Sequence, residues 1–139
     1  MKNVSAENNL YWMLLNVAMR AKHGLMRLAE MHDLTLTQLH TLTFIKPDEP
    51  LQMNSISSKL FCDASNVTGV VDRLLALGYI TREENPYDRR VKNVALTQKG
   101  IELQQEVFTE TRQVELPGFE KLDDSQRESL KLLLTTILE

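Results

Sequence analysis

The chain has 139 residues, 42% hydrophobic and 25% charged, which suffices for one core, falls short of two ordinary domains and is too apolar for a disordered segment. A lone cysteine, Cys62, excludes an intramolecular disulfide framework and a cysteine-based zinc site. No run approaches the ~18 apolar residues of a membrane-spanning helix, and Met1 to Glu7 lack the pattern of a signal peptide, so a cytoplasmic location is expected.

The few glycines and prolines (five and four) point to long helices with little loop. The first helix is expected over about 6–32, where Leu10, Leu14, Val17, Ala21, Leu25 and Leu28 form an apolar stripe at helical spacing. Tyr11, Leu15, Met19 and Met26 widen that stripe beyond what packing on a single core requires, which suggests burial against a second copy of the chain. A central helix in a monomer is the plainer alternative. Thr35 and Gln38 stand at capping-box spacing and open a second helix carrying Leu39, Leu42, Thr43 and Ile45. Pro47 and Pro50 end it.

Leu51 to Phe61 reads as a short helix with Ile56, Leu60 and Phe61 inward. Asp63 caps the next helix, whose Val67, Val70, Val71, Leu74 and Leu75 face the core. Gly78 sits where a left-handed helix end is expected. Tyr79 to Glu83 and Val91 to Leu96 are predicted strands around a turn-rich tip. Thr97 caps a helix carrying Ile101, Leu103, Val107 and Phe108, which Pro117-Gly118 interrupts or follows. Asp123 and Gln126 box the start of a last helix bearing Leu130, Leu133, Leu134, Ile137 and Leu138. That stripe is again wide, and the first and last helices are the natural dimer-forming pair.

The predicted order of parts is a helix-turn-helix followed by a β-hairpin wing, which makes double-stranded DNA the leading partner. The net charge of −3 does not oppose this, because it is unevenly spread. Residues 54–100 hold seven Lys/Arg against five Asp/Glu, while 101–139 hold four against nine. Screening confines exposed charges to roughly 10 Å at moderate salt, so a local basic patch can neutralise phosphates on an acidic chain.

On the recognition helix, Ser65, Asn66 and Thr68 are short polar residues of the kind that read base edges, and Gly69 leaves room for close backbone approach. Arg73 would reach a phosphate or pair with Asp72 or Asp63. In the wing, Arg89 and Arg90 suit the negative potential of a narrow minor groove. Asp88 is expected to order the loop by pairing with a neighbouring guanidinium. The plain alternatives are a solvated helix face and a charged turn without a partner.

Residues 34–100 resemble the MarR family of bacterial winged helix-turn-helix regulators. The resemblance is carried by Leu34-Thr35-x-x-Gln38, Ser65 to Leu74, Gly78-Tyr79-Ile80, Asn85-Pro86-x-Asp88-Arg89-Arg90 and Leu96-Thr97-x-x-Gly100. It implies a mainly α fold with a small β-hairpin wing, in one MarR-type domain over 1–139. A DNA-binding lobe at 34–100 would be flanked by N- and C-terminal dimerisation helices at 6–32 and 101–139. It further implies a homodimer on a pseudo-palindromic operator, with Arg90, supported by Asp88, entering the flanking minor groove. Half-sites should then lie roughly one helical turn, ~10 base pairs, apart. Relatives of this kind are commonly released from DNA by small phenolic or lipophilic anions, and repression is the expected direction because a dimer covering a promoter blocks polymerase, with activation the open alternative.

No cofactor and no metal are expected. His23, His32 and His40 lie on two helices without a carboxylate at ligand spacing, and Asp33 beside His32 reads as a surface pair. Cys62 reads as an unreactive buried thiol, although a redox-responsive regulator using it is an open alternative. No enzyme is expected, since neither a phosphate-binding glycine loop nor a recognisable catalytic triad spacing occurs. The rival function is a winged-helix module that binds another protein and not DNA.

Overall fold

In a computed structural model, which describes residues 9–60, 64–114 and 116–139, the helical spacing and the capping signals become six α-helices. A three-stranded antiparallel sheet and one short 3-10 helix (Phe119–Lys121) accompany them. The chain divides into two compact units, residues 25–113 and residues 1–24 with 114–139. The larger therefore takes in the end of α1 and all of α5 (Gln98–Thr111) besides the expected lobe at 34–100.

Helix α1 spans Leu10–Met31. It closes on Asp33, at φ 54° the single left-handed non-glycine among the described residues. The Asp33 N–H donates to the Glu30 carbonyl (3.1 Å) and the Leu34 N–H to the Ala29 carbonyl (3.0 Å). This paired closure satisfies carbonyls that the helix end would leave bare. Helix α2 (Leu36–Phe44) starts on the expected capping box: Thr35 Oγ1 accepts from the Gln38 N–H while Gln38 Oε1 accepts from the Thr35 N–H. After the proline loop, Leu51 and Gln52 form strand β1, paired with Val94 and Asn93. Helix α3 is therefore shorter than read from sequence, Met53–Leu60. Its first two expected residues are drawn into an extended conformation by the open edge of the wing sheet.

Helix α4 (Ala64–Ala76) buries Val67, Val71 and Leu74 completely, with Val70 and Leu75 half-buried. Each such side chain contributes about 1.5–3 kcal/mol on burial. The three together fix which face of α4 points outward. The helix ends at Gly78, φ 75°, whose N–H donates to the Leu75 carbonyl as the Tyr79 N–H reaches the Leu74 carbonyl. That closure takes Tyr79 out of the strand it was expected to begin, so β2 is Ile80–Glu84, paired with β3 at Lys92–Leu96. The sheet order is β1-β3-β2.

Helix α5 starts on Thr97, whose hydroxyl oxygen accepts from the Gly100 N–H and donates to the Gly78 carbonyl. Leu103 and Val107 enter the core; Phe108, expected beside them, lies about a third of a turn away and is exposed. Gln104 is buried and donates from Nε2 to the carbonyls of Leu42 (2.5 Å) and Ile45 (2.8 Å). It thereby satisfies the end of α2 from across the lobe.

In the smaller unit, the Gly118 N–H donates to Glu120 Oε2 at 2.7 Å. The backbone N–H of Glu120 itself, then that of Gly118, holds the Glu120 carboxyl below the usual carboxylate range. Helix α6 (Asp124–Leu138) begins on the expected Asp123/Gln126 capping box. Every fully buried apolar side chain among the described residues belongs to the larger unit. In the smaller one Leu10, Ile137 and Leu138 are 70%, 70% and 85% exposed. No helix among the described residues is long and apolar enough to cross a membrane.

Candidate nucleic-acid interface

With Val67, Val71 and Leu74 turned inward, helical geometry leaves Ser65, Asn66, Thr68, Gly69, Asp72 and Arg73 exposed on the outer face of α4. Short polar side chains crowd its first two turns and the arginine lies in its last. Asp72 does not pair with Arg73: its Oδ1 accepts from Arg82 Nη1 of β2 at 3.0 Å. Arg73 makes no ion pair among the described residues. Its other expected partner, Asp63, lies outside the described residues, as do Phe61 and Cys62, so the cap, the inward phenyl and the thiol alternative are not placed.

The wing tip is ordered by its own backbone. Asn85 Oδ1 accepts from the N–H groups of Tyr87 (2.9 Å) and Asp88 (3.3 Å). Asp88 Oδ1 accepts from the Arg90 N–H at 3.0 Å, and the Asn85 N–H closes the loop on the Val91 carbonyl at 2.9 Å. Asp88 thus orders the tip, but through a main-chain amide in place of the expected guanidinium. An aspartate reaches the amide two residues ahead with little loss of side-chain freedom. The consequence is electrostatic. Arg89 and Arg90 are exposed and form no ion pair among the described residues. Further down the hairpin, Lys92 pairs with Glu84 at 2.7 Å. The cations of the stem are neutralised internally and those of the tip are not.

Helix and wing meet at a cleft of about 470 Å³, lined by Met53, Asn54 and Ser57 of α3, Val67 and Thr68 of α4, and Arg90, Val91 and Lys92. Of the residues singled out from sequence, Thr68 and Arg90 share this cleft; Ser65, Asn66, Gly69 and Arg73 extend the surface along α4. Asn54, Ser57 and Lys92 were not anticipated. Nothing in their local sequence marks them, because only the packing of α3 against α4 and of β3 against α3 brings them together. The turn from α4 into β2 is braced by Lys99, whose Nζ donates to the Leu77 carbonyl (2.8 Å) and lies 4.6 Å from the Tyr79 ring centre.

A helix-turn-helix whose second helix turns a polar face outward beside an arginine-tipped hairpin defines the winged-helix class of DNA-binding proteins. Comparison with known proteins agrees. The MarR family pattern matches residues 34–92. SarZ, an HTH-type transcriptional regulator of Staphylococcus haemolyticus, is 29% identical over 102 residues, 73% of this chain and 67% of SarZ. Among solved structures, a probable transcriptional regulator from Pseudomonas aeruginosa is 25% identical with a TM-score of 0.75, covering 96% of this chain and 99% of that one. CouR from Rhodococcus jostii RHA1, solved bound to p-coumaroyl-CoA, shares the fold at a TM-score of 0.79 and 20% identity over 97% of this chain and 95% of its own. Residues 34–92 thus match the MarR family of DNA-binding transcription regulators, and the fold is that of its winged-helix members.

Proposed function

We propose that this protein is a cytoplasmic, sequence-specific repressor that binds a pseudo-palindromic operator as a homodimer and is released by a small anionic ligand. The observation that carries the DNA-reading part is the shared cleft of α4 and the wing, where a polar outer face adjoins the Arg90 guanidinium, which no carboxylate among the described residues neutralises. Ser65, Asn66 and Thr68 read base edges in the major groove, and Gly69 admits close backbone approach. Arg73 neutralises a phosphate, and Arg89 and Arg90 occupy the flanking minor groove, with Asp88 holding the tip in shape.

The dimer is supported by the lack of buried apolar side chains among the described residues of the smaller unit, whose exposed leucines, isoleucine and aromatics need a covering surface. Two-fold symmetry then places the half-sites roughly one helical turn apart. Repression follows if the dimer covers a promoter. Release by a ligand is supported by CouR, which was solved bound to p-coumaroyl-CoA. A phenolic or lipophilic anion is the corresponding class here.

The test is fluorescence anisotropy of a labelled generic duplex across a salt series, with wild type and with Arg89→Ala/Arg90→Ala. Wild-type affinity should fall steeply with salt, and the double variant should lose about two units of the log–log salt slope while remaining folded. Binding that is absent in the wild type, or unchanged in the variant, would refute the assignment and favour a protein partner for the same surface.

A further inference from the structure

We propose that His32, Glu106 and Glu110 form a site for a divalent transition-metal ion, with zinc the best fit. Their ligand atoms (an imidazole nitrogen and two carboxylate oxygens) all lie within 4.8 Å of one another. His32 is half-buried, and its Nε2 already meets Glu110 Oε2 at 2.7 Å. Two ligands bound to zinc at about 2.1 Å stand roughly 3.4 Å apart in tetrahedral geometry, so the existing pair has to open by only about 0.7 Å.

The frame is suited to holding them. Glu106 and Glu110 are one helical turn apart on α5 and so share a face, on a helix anchored by buried Leu103 and Val107. His32 closes α1, its backbone fixed by the left-handed Asp33 and by the hydrogen bond from its own N–H to the Ala29 carbonyl (3.0 Å). Two carboxylates balance the charge of a divalent cation, and the cation removes their mutual repulsion. One imidazole with two carboxylates is a borderline-hard donor set. It suits zinc, tolerates manganese, and leaves a coordination position for water. The site joins α1 to α5, the two helices at the ends of the larger unit, so occupancy should stiffen the lobe that carries α4.

The competing account is that His32 and Glu110 form a structural hydrogen bond and nothing more. Glu106 separates the two, because it takes no part in that bond and makes no other hydrogen bond or ion pair among the described residues. Chelator-stripped full-length protein should be titrated with zinc chloride against a chromophoric competitor, and its thermal unfolding followed with and without zinc. Wild type should bind one equivalent at micromolar protein and show a higher Tm. Glu106→Gln should keep the metal-free Tm, bind zinc about ten-fold or more weakly, and lose the zinc-dependent rise. Cys62→Ser should bind as wild type does. Cobalt(II) should give visible ligand-field bands in the wild type that are absent in His32→Ala. Failure of wild type to bind, equal binding by Glu106→Gln, or loss of binding in Cys62→Ser would each overturn the site. None of these readouts involves DNA.

Discussion

Replacing Gly69 by alanine should move stability and DNA affinity in opposite directions. Gly69 lies mid-way along α4 on its exposed face, and a methyl group built there meets nothing within 4 Å. Glycine inside a helix costs about 0.5–1 kcal/mol relative to alanine. Gly69→Ala should therefore stabilise the free protein by that amount, a rise of roughly 2–4 °C in Tm for a chain of this size. On DNA the same methyl has to fit between the helix and the groove. Overpacking a close contact costs about 1–3 kcal/mol, or roughly five-fold to more than a hundred-fold in affinity. The control is Gly100→Ala, where the added carbon would lie 2.0 Å from the Tyr79 carbonyl oxygen. Relieving that overlap must stretch the Thr97 N–H bond to the same oxygen, now 3.0 Å. An overpacking cost of about 1–3 kcal/mol and a lost hydrogen bond of about 1 kcal/mol outweigh the helical gain, leaving a net loss of about 1–3 kcal/mol. Thermal unfolding at a fixed protomer concentration, with anisotropy on one duplex, reads both quantities. A Gly69→Ala variant that is more stable and binds DNA undiminished would show that the backbone there does not approach DNA.

Asn66→Ala should relax discrimination at particular base pairs, costing ~1–3 kcal/mol on the preferred sequence if its contact is bidentate; equal loss on every duplex would mean that Asn66 reads no base. Gln104→Ala strands the Leu42 and Ile45 carbonyls and should destabilise the lobe by about 1–3 kcal/mol in denaturant unfolding, so an unchanged midpoint would show that water replaces the amide. Leu133→Glu/Ile137→Glu places charges on the exposed face of α6 and should shift sedimentation velocity toward monomer; a wild type that already sediments as monomer at micromolar concentration removes the homodimer.

What was legible in the sequence was whatever depends on near neighbours along the chain. The capping boxes at Thr35 and Asp123, the cap at Thr97 and the left-handed Gly78 each need only a few consecutive residues, and all four occur as read. The outer face of α4 was legible for the same reason, since Val67, Val71 and Leu74 repeat at helical spacing and leave the remaining positions outside. Strand β1 was not. Leu51-Gln52 carries no alternation long enough to signal a strand, and its extended form depends on β3, some forty residues further on. The role of Asp88 was half legible: its power to order the tip follows from its type, but whether a guanidinium or a main-chain amide receives the carboxylate is settled by the path of the loop.

The metal question turns on the same distinction. Along the sequence, His23, His32 and His40 have no carboxylate at ligand spacing. Yet Glu106 and Glu110 stand one helical turn apart, two of the three proposed ligands, and the third, an imidazole, comes from a residue 78 positions earlier than Glu110. A carboxylate pair at i,i+4 is too common on solvated helices to identify a site. What raises it above the background is tertiary: a half-buried histidine whose backbone is fixed by a helix end and whose ring nitrogen faces the pair. The wing obeys the converse rule. Its arginines are conspicuous in sequence, but their availability to DNA depends on where the acids go, with Asp72 on Arg82, Glu84 on Lys92 and Asp88 on a main-chain amide. Counting charges over residues 54–100 gives a balance of only +2; following Asp72, Glu84 and Asp88 to their partners leaves the tip arginines outside any ion pair among the described residues. This is how an acidic chain can present a basic edge to a phosphate backbone.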